Sequence, residues 1–106
     1  MKQITAQELQ QMLETTAAAP VLLDVREDRE LAICQIAGSL HIPMGQVPAE
    51  LSRLQADAPV VAICHHGARS YQVAMFLEQQ GFSDVYNLQG GIDGWAREID
   101  PDMARY

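Results

Sequence analysis

The sequence predicts an α/β fold, a parallel β-sheet between two layers of helices. Short apolar runs rich in Val, Ile and Leu recur along the chain, and they are unbroken rather than strictly alternating, as suits strands covered on both faces. Between these runs lie longer stretches with apolar residues at helical spacing, and strands that alternate with helices call for a three-layer α/β domain. A length of 106 residues, 48% hydrophobic and 20% charged, fits one such domain over residues 1–106 with the balance of an ordinary soluble globular chain.

The elements follow in order. Lys2 to Ile4 is a first short strand. Thr5 followed by Glu8 reads as a capping box, with Ile4 and Leu9 placed as its hydrophobic staple, so a helix runs from Ala6 to about Glu14. Val21-Leu22-Leu23 and Leu40-His41-Ile42 are the next two strands. Pro48 to Leu54 is a helix candidate with Pro48 in its first turn. Val60-Val61-Ala62-Ile63 is a buried strand. From Ser70 to Gln80, Val73, Phe76, Leu77 and Gln80 form one stripe with Ala74 alongside, and Gly81 supplies the residue that ends the helix. Val85-Tyr86-Asn87-Leu88 is the last strand, and Ile92 to Ile99 the last helix, stopped before Pro101. Ligands of open parallel sheets sit beyond the carboxyl ends of the strands, so chemistry is sought there.

Seven basic residues against 14 acidic ones give a formal net charge of −7, a field that repels phosphate backbones and anionic lipid. Neither nucleic acid nor a membrane is an expected partner, and any small anionic substrate needs a local cluster of donors. No apolar run approaches the ~20 residues that cross a bilayer. The opening residues lack the apolar core of a secretory signal, so a cytoplasmic location is expected. There is no internal repeat or low-complexity tract. Cys34 and Cys64 form no CxxC pair and are expected as reduced thiols.

The stretch richest in chemistry is Val60-Val61-Ala62-Ile63-Cys64-His65-His66-Gly67-Ala68-Arg69-Ser70. A buried strand delivers Cys64 at its carboxyl end, a short loop follows, and a helix begins near Arg69 or Ser70. Amides of His65, His66, Gly67 and Ala68 and the first amides of the helix, with Ser70, would converge on the sulfur. Such a nest stabilises a thiolate and the anion it attacks. Gly67 permits the tight curl. Arg69 sits unfavourably against the helix dipole as a mere solvated residue, which points to an oxyanion or a carboxylate partner. His65 and His66 either flank the entrance or face solvent. Adjacent side chains rarely converge on one ion, so no metal is expected.

These residues resemble the rhodanese-like sulfurtransferases in their single-domain form. Leu22-Leu23-Asp24-Val25-Arg26-Glu27, then Glu30 and Ile36-Ala37-Gly38-Ser39-Leu40-His41-Ile42-Pro43, is similar to the family's amino-terminal signature. The Cys64 loop is the second element, and Asn87-Leu88-Gln89-Gly90-Gly91-Ile92-Asp93-Gly94-Trp95 is similar to the signature near the carboxyl end. The resemblance implies a three-layer α/β/α rhodanese-like domain with a five-stranded parallel sheet. It implies that Cys64 takes sulfane sulfur from thiosulfate, or from a persulfide donor, as a persulfide and passes it to cyanide or a thiol acceptor. No cofactor is implied, and kinetics should be ping-pong.

Four residues separate Cys64 from Arg69, giving a six-membered loop, whereas related phosphatases and arsenate reductases have five between cysteine and arginine. The smaller ring suits one sulfane sulfur. The mercaptopyruvate-type glycine-serine-glycine pattern is absent from the loop, which favours thiosulfate. A non-catalytic binding module, or a relay that accepts sulfur from a partner protein, remains the alternative, with a phosphatase or arsenate reductase of the same fold behind it. Gln35 stands where the family commonly has histidine. Cys34 is either a packing residue or a resolving thiol. Asp24 and Arg26 are read as positioning the loop, Gly90 and Gly91 as bringing the chain close to it, and Trp95 as core or pocket wall.

Overall fold

The computed structural model describes residues 1–15 and 19–106. Five strands, β1 (Lys2–Ile4), β2 (Val21–Asp24), β3 (Leu40–His41), β4 (Val60–Ile63) and β5 (Val85–Leu88), form one sheet in the order β1-β5-β4-β2-β3. Every pairing is parallel. Among the described residues the α-helices are α1 (Ala6–Thr15), α2 (Asp28–Ile33) and α3 (Ala68–Gln79) between strands, and α4 (Gly91–Glu98) after β5.

Central β4 shows why its sequence is an unbroken apolar run. Val60 and Ala62 face the layer of α3, among Val73, Ala74 and Leu77, and Cys64 continues that alternation one step beyond the strand. Val61 and Ile63 face the opposite layer, among Leu9 of α1 and Ile92 and Trp95 of α4. All four strand residues have no exposed surface. Burying such a Val or Ile stabilises the fold by ~1.5–3 kcal/mol, so a polar residue on either face would be selected against. Trp95 is thereby a core residue.

The capping box of α1 forms in both directions, Thr5 N to Glu8 Oε1 at 2.9 Å and Glu8 N to Thr5 Oγ1 at 3.1 Å. The helix expected over Pro48 to Leu54 is corrected. Met44–Gln46 and Pro48–Arg53 are 3-10 turns, the second kinked at Glu50 (φ −111°, ψ 15°). Each piece is too short to repay helix nucleation. What fixes them is Val47 and Leu54, buried at the bottom of the α3-side core. The N-cap position of helix α2 is Glu27 rather than a Ser, Thr, Asp or Asn. Its first turn is instead closed by the Glu27 amide donating to Glu30 Oε1 (3.0 Å).

Candidate active site

Cys64, the residue that follows β4, is 1% exposed. Gly67 at φ +108° turns the chain back so that its amide donates to Cys64 Sγ at 3.1 Å, and α3 starts at the next residue. A side chain at Gly67 would be strained at that φ, although its Cβ would stand only in ordinary contact with the Gly90 amide and the Leu88 carbonyl. Ser70, fully buried in the first turn of α3, places Oγ 3.2 Å from the same sulfur. Of the amides expected to converge on the sulfur, the Gly67 amide is the one on it among the described residues, and the Ser70 hydroxyl is its second contact. Ala68 is exposed at the start of α3.

The Ser70 hydroxyl carries one proton and faces two partners. Asn87 Nδ2 donates to Gln3 Oε1 (2.8 Å) and to Gly67 O (3.1 Å), which turns Asn87 Oδ1 toward Ser70. With the proton given to Asn87, Ser70 Oγ presents lone pairs to a Cys64 thiol; rotated, the hydroxyl donates to a thiolate. Asn87 and Gln3 thus belong to the site, from β5 and β1. In the sequence Asn87 stood out only as the start of the carboxyl-end signature and Gln3 not at all, because only the strand order β1-β5-β4 brings them beside the loop.

The glycine pair locks the far side. Ile92 N donates to Cys64 O (2.8 Å) and Asp93 N to His65 O (3.1 Å), so the first turn of α4 caps the loop's carbonyls. Gly91, at φ +59°, lies so close that any Cβ there would overlap the His65 and Cys64 carbonyls. No larger residue fits.

Arg69 leaves the nest and forms a bidentate pair with Glu30, Nη1 to Oε1 at 2.8 Å and Nη2 to Oε2 at 3.0 Å. Of the two partners the sequence allows for Arg69, the structure supplies the carboxylate. Glu30 is 6% exposed, and the Arg69 guanidinium holds its carboxyl well below the usual carboxylate range against the opposing effect of burial. Asp24 and Arg26 are both fully buried and paired, Nη2 to Oδ2 at 2.8 Å. Burial works against the Arg26 charge, and hydrogen bonds to Asp24 and Tyr106 more than offset it. Arg26 also donates to the Cys34 carbonyl (2.8 Å) and reaches Tyr106 Oη (3.0 Å), which in turn donates to Glu30 Oε2 (2.6 Å). Arg26 Nη1 also donates to the Glu30 carbonyl (3.3 Å), so its link to the loop runs to Glu30 and on to Arg69 both directly and through Tyr106. Cys34 is half-buried and packs against the α1–α4 core.

His65 is sandwiched between His66 (centroids 3.9 Å) and Tyr106 (3.8 Å, 9° between planes). Burial first, then the neighbouring His66, pushes its imidazole below the ordinary histidine range, which favours the neutral ring. His66 is exposed. Ligand atoms of His65, His66 and Asp93 lie within 4.8 Å of one another, nearer than expected for adjacent side chains. Asp93 is already engaged by Arg105 at 3.0 Å and Arg97 at 3.5 Å, so the cluster makes a poor metal cage. Among the described residues no helix is long and apolar enough to cross a membrane.

A parallel sheet whose central strand leads into a cysteine, a short loop and a helix start defines the class, a three-layer α/β domain with its candidate site at the carboxyl end of the strands. The family model for the Rhodanese-like domain matches residues 5–98, and the chain belongs to that family. It is 39% identical over 104 residues to a protein of Allochromatium vinosum named Sulfurtransferase, covering 98% of this chain and 96% of that one. It is 36% identical over 100 residues to the Thiosulfate sulfurtransferase GlpE of Pseudomonas aeruginosa, covering 94% and 87%. A rhodanese-like domain protein from Staphylococcus aureus superposes with a TM-score of 0.85 at 32% identity, over 93% of this chain and 95% of that one.

Proposed function

We propose that this protein is a sulfurtransferase in which Cys64 carries sulfane sulfur as a persulfide. The observation that carries this reading is the Cys64 sulfur itself, buried at the end of β4 with the Gly67 amide and the Ser70 hydroxyl on it. The Cys64 thiolate attacks the outer sulfur of thiosulfate. A new S–S bond forms, the bond to the sulfonate sulfur breaks, and its electron pair leaves with sulfite. The persulfide's terminal sulfur is then attacked by a thiol acceptor, or by cyanide in an assay, and Cys64 leaves as thiolate. Neither step changes the overall oxidation balance or calls for a cofactor. Amides fixed by Gly67 and by the start of α3 favour the negative charge on the terminal sulfur without reorganising. Arg69, bound to Glu30, anchors the loop and places a permanent positive charge near the sulfur. Thiosulfate as donor is supported by the name of the Pseudomonas relative. A sulfur relay between proteins would use the same Cys64 and the same two steps.

Incubation with thiosulfate should add one sulfur atom, about 32 Da, as expected of a covalent intermediate, and cyanide should remove it. Cys64→Ser should abolish the uptake. Cyanide-labile sulfur on the substituted protein would disprove the role of Cys64, and aryl phosphate hydrolysis lost with Cys64→Ser would favour a phosphatase.

A further inference from the structure

The family match ends at Glu98, yet Tyr106, beyond it, reaches the centre of the charge network beside the Cys64 loop. Its oxygen accepts a hydrogen bond from Arg26 Nη1, and its own proton goes to Glu30 Oε2, because a guanidinium has only donors to offer. One hydroxyl thereby joins the Asp24–Arg26 pair to the Glu30–Arg69 pair. Its ring lies flat on His65, the residue after the nucleophile. Burial, together with the bond to Glu30, pushes the phenol up to about 12, so the proton stays in place at any ordinary pH.

The partners of Glu30 divide evenly. Oε1 takes Arg69 Nη1 and the Glu27 amide, and Oε2 takes Arg69 Nη2 and the Tyr106 hydroxyl. Should Arg69 turn toward the charged oxygens of a donor above Cys64, each carboxylate oxygen would keep one hydrogen bond. Without the hydroxyl, Oε2 would be left bare in a buried place, which is strongly unfavourable. Arg69 is the more open member of the pair, its side chain 37% exposed against 8% for Glu30, so it is the member that can move.

We infer that Tyr106 is a positioning residue of the transfer site, whose hydroxyl keeps Glu30 satisfied while Arg69 engages the oxygens of an anionic sulfur donor. The inference rests on the sulfur-transfer reading of Cys64 and adds the residue that sets how well donor charge is received. Tyr106→Phe keeps the ring on His65 and removes only the hydroxyl. KM for thiosulfate should then rise about fivefold while kcat stays within about twofold, the pattern of a lost binding interaction. Methanethiosulfonate, in which a methyl group replaces one charged oxygen, should lose clearly less. In protein already carrying Arg69→Ala, Tyr106→Phe should have no further effect, since the two act through one contact.

Equal losses with both donors, a fall in kcat alone, or an effect that survives Arg69→Ala would overturn the inference. Equilibrium binding of sulfite to protein without bound sulfur separates the two readings. If the native protein takes sulfur from neither donor, the transfer reading fails; if sulfite binds native protein and Tyr106→Phe equally, the role of Tyr106 fails.

Discussion

At Glu30 one nearly buried carboxylate closes the first turn of α2, holds Arg69 at the start of α3 and receives Tyr106. Replacing it with glutamine keeps the shape and removes the charge, so charge-assisted hydrogen bonds become ordinary ones. Glu30→Gln should cost about 1–3 kcal/mol of stability at pH 7. Its pH dependence has a definite sign. The folded carboxyl titrates below its ordinary value of 4.5, so its contribution is complete above that value and is lost as pH falls toward the folded value. Moving from pH 7 to pH 3.5 should narrow the gap between native protein and Glu30→Gln by roughly 1 kcal/mol, because the unfolded chain then binds a proton that the folded one refuses. Urea unfolding of both proteins at the two pH values measures it, and a gap that widens on acidification would mean that Glu30 is protonated in the fold.

Among the elements, α1 and α2 show what a sequence can and cannot reveal. The capping box of α1 is local: Thr5 and Glu8 supply both partners within one turn, and the structure has both bonds. Thr5→Ala should therefore destabilise the protein by roughly 0.5–2 kcal/mol. Sulfur uptake per folded molecule should be unchanged, because α1 packs on the sheet layer opposite α3; a matching loss of uptake would contradict that separation. Helix α2 was not legible, since its cap is a glutamate and its six residues carry no full apolar period. The 3-10 turns were misread because a proline and an apolar spacing look alike at the start of either helix. Of the site, Cys64, Gly67 and Ser70 were legible, being contiguous in sequence and joined by a local turn, while the glycine pair was legible through the family resemblance alone. Glu30, Asn87, Gln3 and Tyr106 were not identified as site residues, because each meets the loop only after the sheet is assembled. Glu30, for example, lies 39 residues from Arg69.

On the scale of the molecule, the charge of −7 meets a proposed donor, thiosulfate, that is itself an anion. Cations near the loop do not stand free to offset it: Arg26 is paired with Asp24, Arg69 with Glu30, and both Arg97 and Arg105 with Asp93. At 10 mM salt the screening length is about 30 Å. The molecule measures 36 × 31 × 20 Å, so at that salt an approaching thiosulfate feels most of the net charge. At 150 mM the length falls to about 8 Å, and only the groups around the mouth act. Raising potassium chloride from 10 to 150 mM should therefore increase kcat/KM for thiosulfate about two- to threefold, the direction opposite to electrostatic steering. Methanethiosulfonate, with one charge fewer, should respond more weakly. Steady-state rates with both donors across that range test the point. A kcat/KM for thiosulfate that falls with salt would show that Arg69 and the loop amides outweigh the rest of the surface even at long range, and that the donor is drawn in by the site's own field.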